Sequence, residues 1–140
     1  MNGNKVAILV KKAALQFDKL SNPILGEYDL TASQFKVLKF LYAQPSRTAR
    51  VVDIEKYYSL THPTTIGLLD NLEKKGFITR MQNPEDARSK LISLTDMANG
   101  MQSELEGLGD KLESKMTENL TKVEKAQLVT LLQKLIGLGN

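Results

Sequence analysis

The sequence of 140 residues contains no cysteine, no tryptophan and a single histidine, His62. The lack of cysteine excludes disulfides, thiol catalysis, thiol redox sensing and zinc sites with sulfur ligands. One histidine excludes a metal site built from several imidazoles, and no acidic cluster has calcium-site spacing. No apolar run is long enough to span a membrane, and the first residues do not resemble a signal peptide. We therefore expect a cytoplasmic protein with no cofactor, no metal and no membrane contact.

The remaining composition is that of an ordinary globular chain, with 41% hydrophobic and 25% charged residues. Its length predicts about one domain. The positive charge is uneven: residues 1–95 carry fourteen basic and nine acidic side chains, and residues 96–140 carry five and seven. This mild excess permits nucleic-acid binding without demonstrating it.

The central third of the chain predicts a helix-turn-helix. Residues 31–34 (TASQ) form a capping box that begins one helix. Residues 51–58 predict a short second helix, and a longer third helix begins at residue 61 or 62. Lysines and a glycine at residues 74–76 end this third helix. A short helix, a three-residue turn and a longer helix are typical of the helix-turn-helix motif.

A small β-hairpin follows the helix-turn-helix. Residues 77–81 and 90–94 have strand-like composition, and the polar residues 82–89 between them contain the turn former Asn83-Pro84. The pattern predicts a two-stranded wing with a charged tip. The fold class is therefore mainly α with a small β-hairpin wing.

A helix-turn-helix with a wing is typical of DNA reading, with the start of the second helix at the base edges of the major groove. At that start, His62 and Thr64 offer hydrogen bonds to bases or phosphates. Ile66 offers an apolar contact to a thymine methyl group. We expect double-stranded DNA as the partner.

The wing supplies the cations Arg80, Arg88 and Lys90. Arginine is attracted into the narrow, negative minor groove. Asp86 and Arg88 are two residues apart, so in an extended strand they lie on one side, where the carboxylate can hold the guanidinium in one pose. We expect this pair to position Arg88, since an exposed ion pair adds little stability.

Apolar residues at helical spacing also occur at both chain ends. The first stripe runs to a predicted break at residues 21–23 (SNP). A second helix of about 25 residues, beginning at residue 96 with a bend at Gly107 and Gly109, spans about 37 Å. The last helix turns Leu128, Leu131, Leu132, Leu135 and Leu138 inward. The apolar surface of these helices is larger than a central unit of about 65 residues can cover, which predicts a homodimer in which the terminal helices of two chains pack together.

Two stretches resemble the multiple-antibiotic-resistance repressor (MarR) family. Residues 86–95 (DARSKLISLT) are similar to its wing signature, Asp-x-Arg followed by a strand and Leu-Thr. Residues 69–78 (LDNLEKKGFI) are similar to the end of its recognition helix. The helix order and chain length also agree.

The resemblance implies a winged-helix homodimer that binds a pseudopalindromic operator and usually represses nearby genes. Residues 31–95 would form the DNA-binding domain, and residues 1–30 and 96–140 the helical dimerisation region. The wing role carries over to Arg88, supported by Asp86, and the recognition-helix contacts carry over to residues 62–64, including Pro63.

The resemblance also implies release of DNA by a small phenolic or other aromatic effector in a cleft between the two regions. Tyr28, Tyr42 and Phe17 are candidates to line such a cleft, although the commoner role of such aromatic residues is ordinary core packing.

Three positions depart from the family pattern. Gly67 stands where an arginine is frequent in the recognition helix, Glu55 replaces an alanine near the helix crossing, and Ser59 replaces the turn glycine. These departures bear on operator sequence and affinity.

They also motivate an alternative, a winged-helix protein-interaction module that has lost DNA readout. An enzyme is not expected. His62 stands at a helix start, Glu85 and Asp86 are adjacent at an exposed tip, and no phosphate-binding glycine loop or serine nucleophile motif occurs.

Overall fold

A computed structural model of the chain describes residues 5–138, apart from the side chain of Ala87. Helices dominate, and three short strands form one sheet. In chain order the elements are α1 (Val6–Gly26), α2 (Ala32–Tyr42), a 3₁₀ turn (Pro45–Arg47), β1 (Thr48–Arg50), α3 (Val51–Tyr58), α4 (His62–Lys74), β2 (Ile78–Asn83), β3 (Asp86–Leu94), α5 (Asp96–Gly100), α6 (Gln102–Met116) and α7 (Lys122–Leu135).

The described chain divides into two units, one of residues 21–108 and one of residues 5–20 with 109–138. The first contains the hydrophobic core. Its largest fully buried side chains come from the helix-turn-helix, from helices before and after it and from the sheet, and they include Leu38, Leu41, Ile54, Leu69, Leu72, Ile78, Ile92 and Leu105. This core fixes α3, α4 and the strands against one another.

Threonine side chains cap four helices where the sequence predicts helix starts. Thr31 and Gln34 form the predicted capping box on α2, and Thr121 and Glu124 form the one on α7. Thr95 accepts a hydrogen bond at the start of α5, and Thr61 does so at the start of α4. Each cap satisfies a backbone N–H that has no partner inside its helix.

The sheet contains one strand more than the predicted hairpin. Its order is β1-β3-β2, and both pairings are antiparallel. The sequence prediction missed β1 because only three residues form it, too few to show an alternating pattern; Ala49 is its one buried residue. The hairpin strands are also longer than predicted and meet at a turn of residues 84–85. Backbone pairing extends beyond the predicted strands, with Gln82 opposite Lys90 and, after a shift in register, Asn83 opposite Asp86.

The predicted break in the first helix is wrong. α1 continues through Pro23 to Gly26. Proline removes one backbone donor and disfavours helix in the residue before it. However, the last turn of α1 buries Leu25 to 1% exposure, and burying a leucine stabilises by about 1.5–3 kcal/mol.

The helix predicted from residue 96 to about 120 is interrupted early, not at its glycine pair. α5 ends at Gly100, and the N–H of Met101 bonds to the Ala98 and Asn99 carbonyls in a tightened turn. α6 then continues as a helix through Gly107 and Gly109 and ends at Met116. Glycine has a low helix propensity, and the interruption falls at Gly100, between the buried Ala98 and Leu105.

The unit of residues 5–20 and 109–138 leaves apolar side chains exposed in the single chain. The four α7 leucines that were predicted to face inward are 39–61% exposed, and Leu138, beyond the end of α7, is 72% exposed. Val6, Leu9, Val10 and Leu15 of α1 are 40–62% exposed. The prediction of an inward stripe is therefore wrong for one chain by itself, because no other part of that unit covers these side chains.

Candidate nucleic-acid interface

The turn between α3 and α4 sets the orientation of the helix-turn-helix. Ser59 adopts the left-handed conformation, with φ 54°. This places the Leu60 N–H 2.9 Å from the Glu55 carbonyl oxygen, which closes the end of α3. One residue later Thr61 caps α4. Serine performs here the turn for which glycine has no steric cost.

α4 buries one face and exposes the other. Thr65, Leu69 and Leu72 face the core. His62, Pro63 and Thr64 are exposed in the first turn, and Ile66 is half-buried. The Thr61 hydroxyl donates to the Thr64 hydroxyl at 2.9 Å, which leaves the Thr64 proton for an outside acceptor. The four α4 residues singled out in the sequence therefore lie on or beside the exposed face.

The wing presents Arg88 almost entirely to solvent, with its side chain 96% exposed. One Asp86 oxygen accepts a hydrogen bond from the Arg88 backbone N–H at 3.0 Å and lies 3.9 Å from Nε of the guanidinium. The structure thus brings this pair together on one side of β3. Lys90, farther along β3, donates to Gln82 of the neighbouring strand at 3.2 Å.

Side-chain hydrogen bonds hold the tip of the wing. Oδ1 of Asn83 accepts from the Glu85 N–H at 3.0 Å, and its Nδ2 donates to the Ser89 hydroxyl at 3.0 Å. An asparagine bonded to the backbone two residues ahead stabilises a tight turn. The charged strand that follows is therefore anchored at its start.

An open groove of about 730 Å³ lies between α3, α4 and the wing. Five of the predicted site residues line it: His62, Ile66, Arg80, Arg88 and Lys90. Pro63, Thr64 and Asp86 are not among its lining residues. The other lining residues are Val51, Val52, Glu55, Glu73 and Ser89.

Arg80 is engaged with α4. Its guanidinium lies 2.7 Å from an Asp70 oxygen and 2.8 Å from a Glu73 oxygen. The hydrogen bond that Arg80 donates to Glu73 lowers the pKa of Glu73 and raises the pKa of Arg80. This double ion pair fastens β2 to the recognition helix, so it sets the position of the wing. A DNA contact by Arg80 stays a prediction.

A hydrogen bond and an ion pair at the helix-turn-helix were not predicted from the sequence. His62 Nδ1 lies 2.9 Å from a Glu55 carboxylate oxygen. Arg50 forms a two-point ion pair with Asp53, with bonds of 3.1 and 2.8 Å. The unusual acid at position 55 was the signal for the first pair, but its partner seven residues ahead follows only from the angle between the helices.

These features define a class of protein. A helix-turn-helix that exposes the first turn of its second helix, beside a cationic hairpin fastened to that helix, is the architecture of a winged-helix DNA-binding protein.

Comparison with known proteins gives the family. Residues 30–90 match the model of the MarR family. The multiple antibiotic resistance protein MarR of Escherichia coli strain K12 is 35% identical over 120 residues, which cover 85% of this chain and 82% of that protein. The chain belongs to the MarR family of winged-helix DNA-binding transcription regulators.

Solved structures agree in fold. A crystal structure of a mutant Escherichia coli MarR with operator DNA superposes with a TM-score of 0.84 at 32% identity, and covers 93% of this chain and 92% of that one. A Staphylococcus aureus MepR–DNA complex gives a TM-score of 0.87 at 27% identity, with 95% and 97% covered. The predicted family, fold class and regulatory function are confirmed. The family is one of regulators, not enzymes, and the interaction-module alternative is not favoured.

No helix within residues 5–138 combines the length and the apolar character needed to cross a membrane.

Proposed function

We propose that this chain is a homodimeric repressor that binds a pseudopalindromic operator in the cytoplasm of a bacterial cell. One observation carries the proposal: His62, in the exposed first turn of α4, and the cations of the wing border one groove. A helix start suited to the major groove and an arginine-bearing hairpin suited to the minor groove then contact one duplex together.

The wing contact is assigned to Arg88. Its side chain is 96% exposed, whereas that of Arg80 is 25% exposed, and Asp86 lies beside it. We propose that Arg88 enters the minor groove and that Asp86 positions it. Lys90 provides a further phosphate contact after its hydrogen bond to Gln82 opens.

The major-groove contacts are assigned to the start of α4. His62 and Thr64 offer polar atoms to base edges or phosphates, and Pro63 packs beside them. Ile66, one turn farther along, is placed to meet a thymine methyl group. Arg80 acts chiefly through its ion pairs with α4, with any phosphate contact made by the side of the guanidinium they leave open.

The homodimer is assigned to the exposed apolar faces at the two chain ends. Helix faces with this many exposed apolar side chains on one chain are typical of an obligate interface. We propose that residues 1–30 and 96–140 form the dimerisation region and residues 31–95 the DNA-binding domain. The two recognition helices then lie about 34–36 Å apart, one turn of DNA.

Light scattering tests the dimer. The wild-type chain should have about twice its 15.6 kDa mass. Leu131→Glu places a charge on the exposed apolar face of α7 and should shift the protein toward monomer. Gln133→Glu adds the same charge to α7 at a polar position and should leave the dimer intact. A wild-type monomer at micromolar concentration would contradict the assignment.

A small aromatic effector that releases DNA is proposed from the family resemblance. Tyr42 belongs to the core, where burial raises its pKa to about 12 and its hydroxyl donates to the Ala98 carbonyl. Tyr28 donates to Glu104 at 2.7 Å. A panel of hydroxylated benzoates tests the effector: a true effector raises the melting temperature and weakens DNA binding together.

DNA binding is tested with fragmented genomic DNA of the source organism. Fragments retained by the purified protein are sequenced and then retested by fluorescence anisotropy across a salt series. One enriched site, with affinity that falls steeply in salt, is expected, since each neutralised phosphate contributes about 0.9 to the logarithmic salt slope. No enrichment, or binding that is insensitive to salt, would favour a protein-interaction module.

A further inference from the structure

Glu55 and His62 join the two helices of the helix-turn-helix by their side chains. A carboxylate oxygen of Glu55, on α3, lies 2.9 Å from Nδ1 of His62, in the first turn of α4. The Glu55 side chain is 18% exposed and the His62 side chain is 68% exposed. The more buried Glu55 therefore fixes the more exposed His62 through one ring atom, Nδ1.

The atom that Glu55 holds determines what His62 offers to DNA. An ionised carboxylate only accepts hydrogen bonds, so Nδ1 of His62 must carry the proton of the shared bond. The other ring nitrogen, Nε2, remains for an outside partner. With a neutral ring Nε2 accepts a hydrogen bond, and with a protonated ring it donates one. The same side chain therefore presents opposite chemistry in its two protonation states.

Charged groups from each neighbouring element face the groove with His62. They are Glu55 of α3, Glu73 of α4, Arg80 of β2, and Arg88 and Lys90 of β3. Glu73 and Arg80 pair with each other. The carboxylate of Glu55 and an approaching phosphate backbone are both negative and repel each other. A proton taken up by His62 between them in the complex offsets that repulsion, and the positive amino-terminal end of α4 acts against this uptake.

We propose that Glu55 is a positioning residue of the DNA-reading surface, which fixes His62 through Nδ1, turns Nε2 to the operator and supports uptake of a proton by the ring when DNA binds. The inference rests on the proposed function, since it needs an operator. It explains why an acid stands near the helix crossing of a protein that binds a polyanion.

The test uses the duplex that the wild-type protein enriches, with affinity measured by anisotropy between pH 6 and pH 8 at fixed ionic strength. The chain has one histidine and no cysteine, so few other groups titrate in this range. Wild-type affinity should rise as the pH falls, by up to about tenfold per pH unit for each protomer. His62→Ala should remove this dependence.

Two substitutions of Glu55 separate its charge from its hydrogen bond. Glu55→Gln keeps an acceptor for Nδ1 but no charge, so affinity at pH 8 should stay within about twofold of wild type and the pH dependence should shrink by at least half. Glu55→Ala should weaken binding at least fivefold when His62 is present and less than twofold in the His62→Ala background. Arg88→Ala is the control, because its effect should combine additively with that of Glu55→Ala.

A second measurement needs no variant. The single imidazole can be labelled with ¹⁵N, and NMR of the free protein at pH 8, the alkaline end of the titration, should show the Nδ1-protonated tautomer. A ring protonated at Nε2 would overturn the inference. So would an unchanged pH dependence in His62→Ala, or an equal cost of Glu55→Ala in both backgrounds while wild type binds DNA. If wild type enriches no duplex, the proposed function itself fails and this inference fails with it.

Discussion

Replacing Arg88 with alanine separates the role of the wing in DNA binding from its role in folding. The side chain is 96% exposed, and its ion pair with Asp86 is 3.9 Å long. Exposed pairs contribute about 0–1 kcal/mol, and a pair at this distance belongs at the lower end. The melting temperature should therefore stay within about 3 °C of the wild-type value.

The cost in DNA affinity should be much larger. Losing one specific arginine contact costs about 1–3 kcal/mol, and a homodimer loses two. Even the lower figure gives about 2 kcal/mol for the dimer, or about 30-fold weaker binding at 1.4 kcal/mol per tenfold change. The logarithmic salt slope should also fall by about two, one for each protomer.

Anisotropy titrations on the enriched duplex at three salt concentrations measure both effects. Lys122→Ala makes the same charge change on α7, outside the groove residues, and should leave affinity within about twofold. Arg88→Lys should keep most of the salt slope but lose affinity, because lysine lacks the planar guanidinium. The assignment is wrong if Arg88→Ala binds as tightly as the parent, or if its loss of affinity is matched by a loss of stability.

Three further predictions concern the helix-turn-helix itself. Ser59→Gly removes the steric strain of a left-handed serine at φ 54°. Thermal melts should show a gain in stability of about 0.5–1 kcal/mol, after the greater backbone entropy of unfolded glycine is subtracted. A methyl group at Gly67 meets nothing within 4 Å, so Gly67→Ala should stabilise by about 1 kcal/mol, and an unchanged melting temperature would contradict this. The hydrogen bond from Arg50 lowers the pKa of Asp53 below its ordinary value of 3.8. The ionised Asp53 therefore stabilises the fold above pH 3.8, and this stabilisation is lost as the pH falls through the lower pKa of the folded state. Asp53→Asn should flatten the acid side of a plot of melting temperature against pH.

Local signals in the sequence predicted the elements around the site well. The capping threonines and the proline of the first turn place the starts of α2, α4 and α7 within one residue of the structure. These signals succeed because each acts over three or four residues along the chain.

The failures involve contacts between residues distant in sequence. β1 is a strand because Ala49 pairs with Ile92, which no pattern over three residues reveals. α1 survives Pro23 because Leu25 is buried. The ion pairs of Arg80 with Asp70 and Glu73 depend on how the wing lies against α4. In each case tertiary packing outweighed a local rule, or created a contact that no local rule describes.

Hydroxyl-radical footprinting of the enriched duplex tests most directly whether a homodimer reads a pseudopalindromic operator. We expect protection of the sugar backbone that is symmetric about the centre of an inverted repeat, with two windows one helical turn apart on one face and flanking protection from the wings. Arg88→Ala should remove the flanking protection alone. A single asymmetric window, or protection without an inverted repeat, would contradict a homodimer bound to a pseudopalindromic operator.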